Sequence, residues 1–137
     1  MAGWNPWAAA RAHLHLEIVY DDVVDGATWH RDSSGDRITI DAAASRRDRR
    51  AYLAHELIHL ERGVGYPTAT AATMEREEAI VRRETALRLV PLPELAALIE
   101  RTEELEPVTA SLVAEAFDVP EHVAAEALLA LQQRLFA

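Results

Sequence analysis

Arg49-Arg50-Ala51-Tyr52-Leu53-Ala54-His55-Glu56-Leu57-Ile58-His59-Leu60-Glu61-Arg62-Gly63 is the stretch that decides the fold of this chain of 137 residues. Residues four apart on an α-helix return to nearly the same face, so His55 and His59 can aim two imidazoles at one point. Two neutral imidazoles at that spacing make half of a zinc site, and Glu56 between them is placed to hold a metal-bound water. The pattern points to metal-assisted hydrolysis of a peptide. Three fixed residues are also short enough to arise by chance, and the competing reading is an exposed helix whose histidines face water. Context has to decide between the two.

The flanks read as a complete helix. Ser45 has N-cap chemistry, with Asp48 three residues on as a capping partner. The helix runs from about Arg46 to Arg62, and Gly63 can take the left-handed conformation that ends it. Ala51, Leu53, Ala54, Leu57, Ile58 and Leu60 line much of its circumference. That predicts burial against a sheet on one side and another helix on the other. Arg46, Arg47, Arg49 and Arg50 cluster at the wrong end for the helix dipole. The expectation there is a solvated first turn, offset by Asp48 and by acidic neighbours in space.

Upstream, residues 6–14 read as a short helix opened by Pro6. Residues 16–20, 27–31 and 37–41 read as strands, separated by the turn residues Asp21-Asp22, Asp25-Gly26 and Ser33-Ser34-Gly35-Asp36. The short connections favour an antiparallel meander, at least for the second and third strands. Downstream, residues 64–70 read as a loop. Thr73 then caps a helix from Met74 to about Val90, closed by Pro91 and Pro93, with Glu75, Glu77 and Glu78 in its acidic first turn. Further helices are expected over about 95–104, 111–117 and 120–135.

Half the residues are hydrophobic and 27% are charged, ordinary values for one globular domain. There is no cysteine, so any metal must be held by His, Asp or Glu, and a cytoplasmic location is expected. The net charge of -9 argues against a nucleic-acid partner, which would select for clustered Lys and Arg. No basic leader with an apolar run opens the chain, and no apolar stretch reaches the ~20 residues that span a bilayer. A soluble protein without membrane contact is the expectation.

A catalytic zinc site needs a third protein ligand and one open position. Glu75, Glu77, Glu78 and Glu84 all lie on the next helix, and its unknown rotation leaves them equivalent. His13 and His15 read as solvated or capping side chains, and His30 as a surface or cleft-edge residue. Stabilising the developing oxyanion needs a further donor, for which Tyr66, His30 and His122 are candidates. Residues 111–123 have the rhythm of a helix-turn-helix. The segment from Glu121 to Leu131 nonetheless offers no Arg or Lys, so packing or a protein contact is expected there rather than DNA reading.

The stretch from Arg49 to Gly63 resembles the H-E-x-x-H helix of the ImmA/IrrE metallopeptidase family, especially the small versions of actinobacteria and their phages. Residues 78–91 are similar to that family's second helix. Glu78 falls on its ligand position, and Ala86, Leu89 and Pro91 fall on its small residue, leucine and proline. Val81, Arg82 and Thr85 depart from the pattern, where the family has a small residue, Asn or Asp, and a small residue. The resemblance covers about residues 16–100. It implies an α+β, minimal zincin-like domain: a small three-stranded, mostly antiparallel sheet packed on the active-site helix, with further C-terminal helices. The whole of 1–137 is then a single metallopeptidase-like domain, with a core of about 16–100 and a helical extension of about 105–136. It further implies that His55, His59 and Glu78 hold Zn2+ with Glu56 as general base, Glu77 being the alternative ligand. The implied activity is regulatory cleavage of a specific protein, such as a transcriptional repressor. The alternative is a metal-containing regulatory protein that binds such a partner without general proteolysis.

Overall fold

The computed structural model describes residues 4–23, 26–63, 70–102 and 106–136. Asp25, the expected loop over 64–69 with its Tyr66, and the end of the helix expected near residue 104 lie outside the described residues. Helix α1 (Pro6–Arg11) starts with Pro at its first turn, and the Asn5 side chain accepts from the Trp7 amide at 2.9 Å. His15 follows in a left-handed turn and delivers the chain into the sheet.

Strands β1 (Leu16–Asp21), β2 (Ala27–Asp32) and β3 (Gly35–Asp41) form one sheet in the order β1-β3-β2. β2 and β3 make the expected antiparallel hairpin, with Asp32 opposite Gly35. Its two-residue turn is set by Asp32, whose carboxylate accepts from the Ser34 amide at 2.8 Å and hydroxyl at 2.6 Å. β1 departs from the meander. It lies on the far side of β3 and runs parallel to it, Leu16 beside Asp36 and Asp21 beside Asp41. Turn chemistry announces that the chain reverses but not which neighbour a strand then pairs with. Here β3, with Ile38 and Ile40 fully buried, is the central strand, with β2 on one side and β1 on the other. The result is a mixed sheet inside the expected α+β, zincin-like class.

Helix α2 (Arg46–Arg62) keeps the boundaries its capping residues dictate. The Ser45 hydroxyl accepts from the Asp48 amide at 3.1 Å, and Gly63 ends the helix at φ 61°. Leu53, Leu57 and Leu60, spaced i, i+4, i+7, pack with Ile38, Ile40 and Ala27 of the sheet. Ala51 and Ala54 face a second core built by α3 (Ala71–Leu89), α4 (Leu92–Thr102), α5 (Ala110–Phe117) and α6 (Glu121–Leu135). α3 starts three residues earlier than the sequence indicates. Thr70, not Thr73, is the N-cap and accepts from the Thr73 amide at 3.1 Å, while the Thr73 hydroxyl bonds the Thr70 hydroxyl. Glu75, Glu77 and Glu78 consequently lie beyond the first turn, which has no acidic residue. No described helix is long and apolar enough to cross a membrane.

The arginines at the start of α2 are partnered rather than merely solvated. Arg46 reaches Asp118 at 2.5 and 2.8 Å, and Arg47 reaches it at 3.2 Å. Arg50 donates to the Phe117 and Asp118 carbonyls at 3.0 Å each. Arg49 donates to the Ala42 carbonyl.

Leu57 is fully buried between the sheet and α2. Leu57→Ala should lower the unfolding free energy by about 2–5 kcal/mol, read from denaturant titration. Asp36 gives a pH signature. Partial burial pushes its pKa up, but hydrogen bonds from Arg31 and Trp29 outweigh that and hold it below the ordinary value. Its stabilisation is therefore complete above the unfolded carboxylate pKa of about 3.9 and is lost as pH falls through the lower folded value. Asp36→Asn should flatten the acid limb of a stability-against-pH curve.

Candidate metal centre

With two faces of α2 committed to cores, its polar residues are confined to what remains. His55 and His59 lie one turn apart on that face, with ring centroids 4.8 Å apart and planes at 65°. Their Nε2 atoms approach to 3.2 Å. Glu78 on α3 meets both, with Oε1 2.7 Å from His59 Nε2 and Oε2 3.1 Å from His55 Nε2. All the ligand atoms of these three residues fall within 4.8 Å of one another.

The donor set fits a tetrahedral ion. Bonds of about 2.0–2.1 Å place ligand atoms about 3.3–3.4 Å apart at the corners of a tetrahedron. The separations of 2.7, 3.1 and 3.2 Å approach that spacing without backbone rearrangement. Two neutral imidazoles and a carboxylate also form a set that zinc favours. Burial, opposed by the Glu78 charge and reinforced by His59, lowers the pKa of His55 and so favours the neutral form that a metal would require.

Of the four acidic residues that α3 offers, only Glu78 joins the imidazoles. Glu77 is turned into the interior, 5% exposed, and gripped by Arg62 from the end of α2. The fork has Nε–Oε1 at 2.5 Å and Nη2–Oε2 at 3.0 Å. The Arg62 hydrogen bonds overcome burial and hold the Glu77 carboxyl below its ordinary pKa. Glu84 lies 3.9 Å from Arg62 and 3.8 Å from Arg88, and Glu75 is exposed. Burial of Val81, Thr85 and Leu89 fixes this rotation of α3.

Glu56 stands outside the three-residue cluster and lines a cleft of about 460 Å³ beside it. Burial, with the Glu78 charge added, pushes its carboxyl up to about 8. Tyr52 and His55 from α2, Glu78, Arg82 and Thr85 from α3, and His122 and Glu126 from α6 carry the other polar groups of the same cleft. Among the oxyanion candidates, His122 is thus in the cleft, His30 is exposed on β2 and does not line it, and Tyr66 lies outside the described residues. His13 pairs with Glu61 at 3.8 Å, away from the cluster. Sequence reasoning did not single out Tyr52 or Arg82. The available signal was spacing, since Tyr52 is four residues before Glu56 and Arg82 four after Glu78.

An H-E-x-x-H helix on a small sheet, completed by a glutamate from the next helix, defines the metallopeptidase class of zincin-like domains. The family model Peptidase_M78, described as the IrrE N-terminal-like domain, matches residues 11–129, and the chain belongs to that family, the ImmA/IrrE metallopeptidases. No curated protein shows a significant match.

The two neighbouring glutamates have separable consequences. Glu78→Ala should abolish stoichiometric metal binding, measured by elemental analysis. Glu77→Ala should retain the metal and melt at lower temperature, because Arg62 loses its buried partner. The reverse pattern would move the ligand by one residue.

Proposed function

We propose that this protein is a zinc-dependent peptidase that cleaves a specific protein, a transcriptional regulator such as a repressor being the favoured target. The observation that carries the reading is the convergence of His55, His59 and Glu78 from two helices beside a cleft lined by Glu56. In this reading His55, His59 and Glu78 hold the ion. When bound, zinc supplies Lewis acidity, polarising the scissile carbonyl and making a water acidic.

The chain's own residues supply the rest. Glu56 is kept off the ion by its position on the helix and faces the cleft, where it takes the proton of the attacking water and passes it to the leaving amine. Burial and the Glu78 charge raise the Glu56 carboxyl above its ordinary value, the direction that suits a group that must be base and then acid. His122 reaches the cleft from α6 and is the described histidine placed to donate to charge developing on the carbonyl oxygen. The half-buried Glu56, facing the cleft beside the His55–His59–Glu78 cluster, favours hydrolysis over a protein that only holds metal and partner, since binding the ion does not call for a second carboxyl there.

The net charge of -9 and the absence of Arg and Lys from Glu121 to Leu131 support a protein substrate rather than nucleic acid. Metal analysis and proteolysis of a co-encoded regulator test the assignment together. His55→Ala should lose zinc. Glu56→Gln should keep zinc and cleave the regulator at least about 100-fold more slowly, the usual scale of a lost general base. Undiminished cleavage by Glu56→Gln would remove Glu56 from the mechanism. Metal retained together with regulator binding but no cleavage by the wild type would favour the non-proteolytic alternative.

A further inference from the structure

Arg82 is the one cationic side chain among the described residues that line the cleft. It sits four residues after Glu78, the spacing and order at which a glutamate most readily pairs with a basic residue on a helix. That pairing is not made. Both Glu78 oxygens are directed to His55 and His59, and no carboxylate of the described residues lies within 4.0 Å of the Arg82 guanidinium. The contrast with its neighbours is clear. Arg62 and Arg88 hold Glu77, Glu84 and Glu61, and Arg83 donates to Gln133 at 2.8 Å. The cluster that ligates through Glu78 thus leaves a guanidinium without its natural acid, one helical turn away, in a cleft whose nearby apolar surface is built from the small side chains Ala27, Ala51 and Val123.

A guanidinium in that setting has five donors in a planar fork, and a carboxylate is the group that accepts two of them at once. Arg82 is exposed while lining the cleft, so its donors are open to an entering ligand. Position 82 is where the resembled family pattern has Asn or Asp, so the feature belongs to this chain rather than to the pattern. Glu126 lines the same cleft from α6, and among the described residues it does not pair with Arg82.

We propose that Arg82 is a substrate-binding residue that recognises a carboxylate on the peptide occupying the cleft. The carboxylate comes from an Asp or Glu side chain close to the scissile bond or from a free C-terminus. The proposal rests on the peptidase reading for the nature of the ligand. The geometry of the unpaired guanidinium carries the choice of charge. A cleft that selects a negative group within a chain of net charge -9 also disfavours casual entry of acidic peptides, so recognition is local and short-ranged.

The test uses the full zinc-loaded chain carrying Glu56→Gln, so that peptides are not consumed, with chemical-shift titration as the readout. The probes are acetyl-Ala-Ala-Glu-Ala-amide, acetyl-Ala-Ala-Ala-Ala with a free C-terminus, and acetyl-Ala-Ala-Gln-Ala-amide as the uncharged control. At least one carboxylate-bearing peptide should bind about tenfold more tightly than the control, and the probe that does so identifies the source of the carboxylate. Adding Arg82→Gln should abolish that preference while zinc content and melting temperature stay unchanged, and Arg82→Lys should restore part of it. A preference that survives Arg82→Gln, equal binding of all three peptides, or no binding of any of them would overturn the proposal. The titration is repeated on metal-free protein. A chain that never takes up zinc but still prefers the carboxylate through Arg82 would sink the peptidase reading and leave this site standing.

Discussion

The constraint on which everything else depends is that α2 is buried on two sides at once. Leu53, Leu57 and Leu60 are claimed by the sheet, while Ala51 and Ala54 are claimed by the helical layer. What remains is one strip running through Tyr52, His55, Glu56 and His59, the i, i+3, i+4, i+7 set of a single face. His59 is only 9% exposed, so its imidazole must find a partner within the protein. An unsatisfied group there would cost about 1–3 kcal/mol. His55 and Glu78 supply the partners, and the same three groups are what an ion would use. Packing and chemistry therefore specify one arrangement.

The second helix obeys a stricter condition, because adjacent residues on a helix point about 100° apart. Glu77 and Glu78 cannot both face the histidines. Val81, Thr85 and Leu89 turn one face inward, and Glu77 on that same face is tolerated only because Arg62 neutralises it through two hydrogen bonds. Arg62 belongs to α2, three residues after His59. One helix thereby contributes both the imidazoles and the counter-charge that sets its neighbour's rotation.

Legibility followed how local each signal was. The bounds of α2 were readable because Ser45 and Gly63 act on backbone groups within a few residues. The hairpin of β2 and β3 was readable for the same reason, through Asp32 and Ser34. The direction of β1 was not, since its pairing depends on β3, which comes some twenty residues later in the chain. The start of α3 was misread because Thr70 and Thr73 are both competent caps, and in the structure it is Thr70 that accepts from the Thr73 amide. Glu78 rather than Glu77 followed from a resemblance, and residue physics left the pair open until Arg62 was placed. Arg82 stayed hidden for a different reason. A helical arginine four residues after a glutamate looks paired, and only the commitment of Glu78 elsewhere reveals that it is not.

The arginines that open α2 show how an unfavourable local feature becomes favourable in context. Cations at a helix N-terminus oppose its dipole, at a cost of about 0.3–1 kcal/mol each when exposed. Here the C-terminus of α5 lies against that same end. Arg50 donates to the carbonyls of Phe117 and Asp118, and Arg46 and Arg47 clasp the Asp118 carboxylate. The cations are thus at the wrong end of their own helix and the right end of the neighbouring one. Asp118 adopts φ 57°, the left-handed conformation that turns the chain directly into α6. His122 and Glu126 follow within the next two turns and line the cleft opposite His55 and Arg82. The helix-turn-helix rhythm at 111–123 is accordingly spent on packing, with Val113, Val119, Val123 and Ala124 buried, and the clasp at its turn orients one side of the cleft.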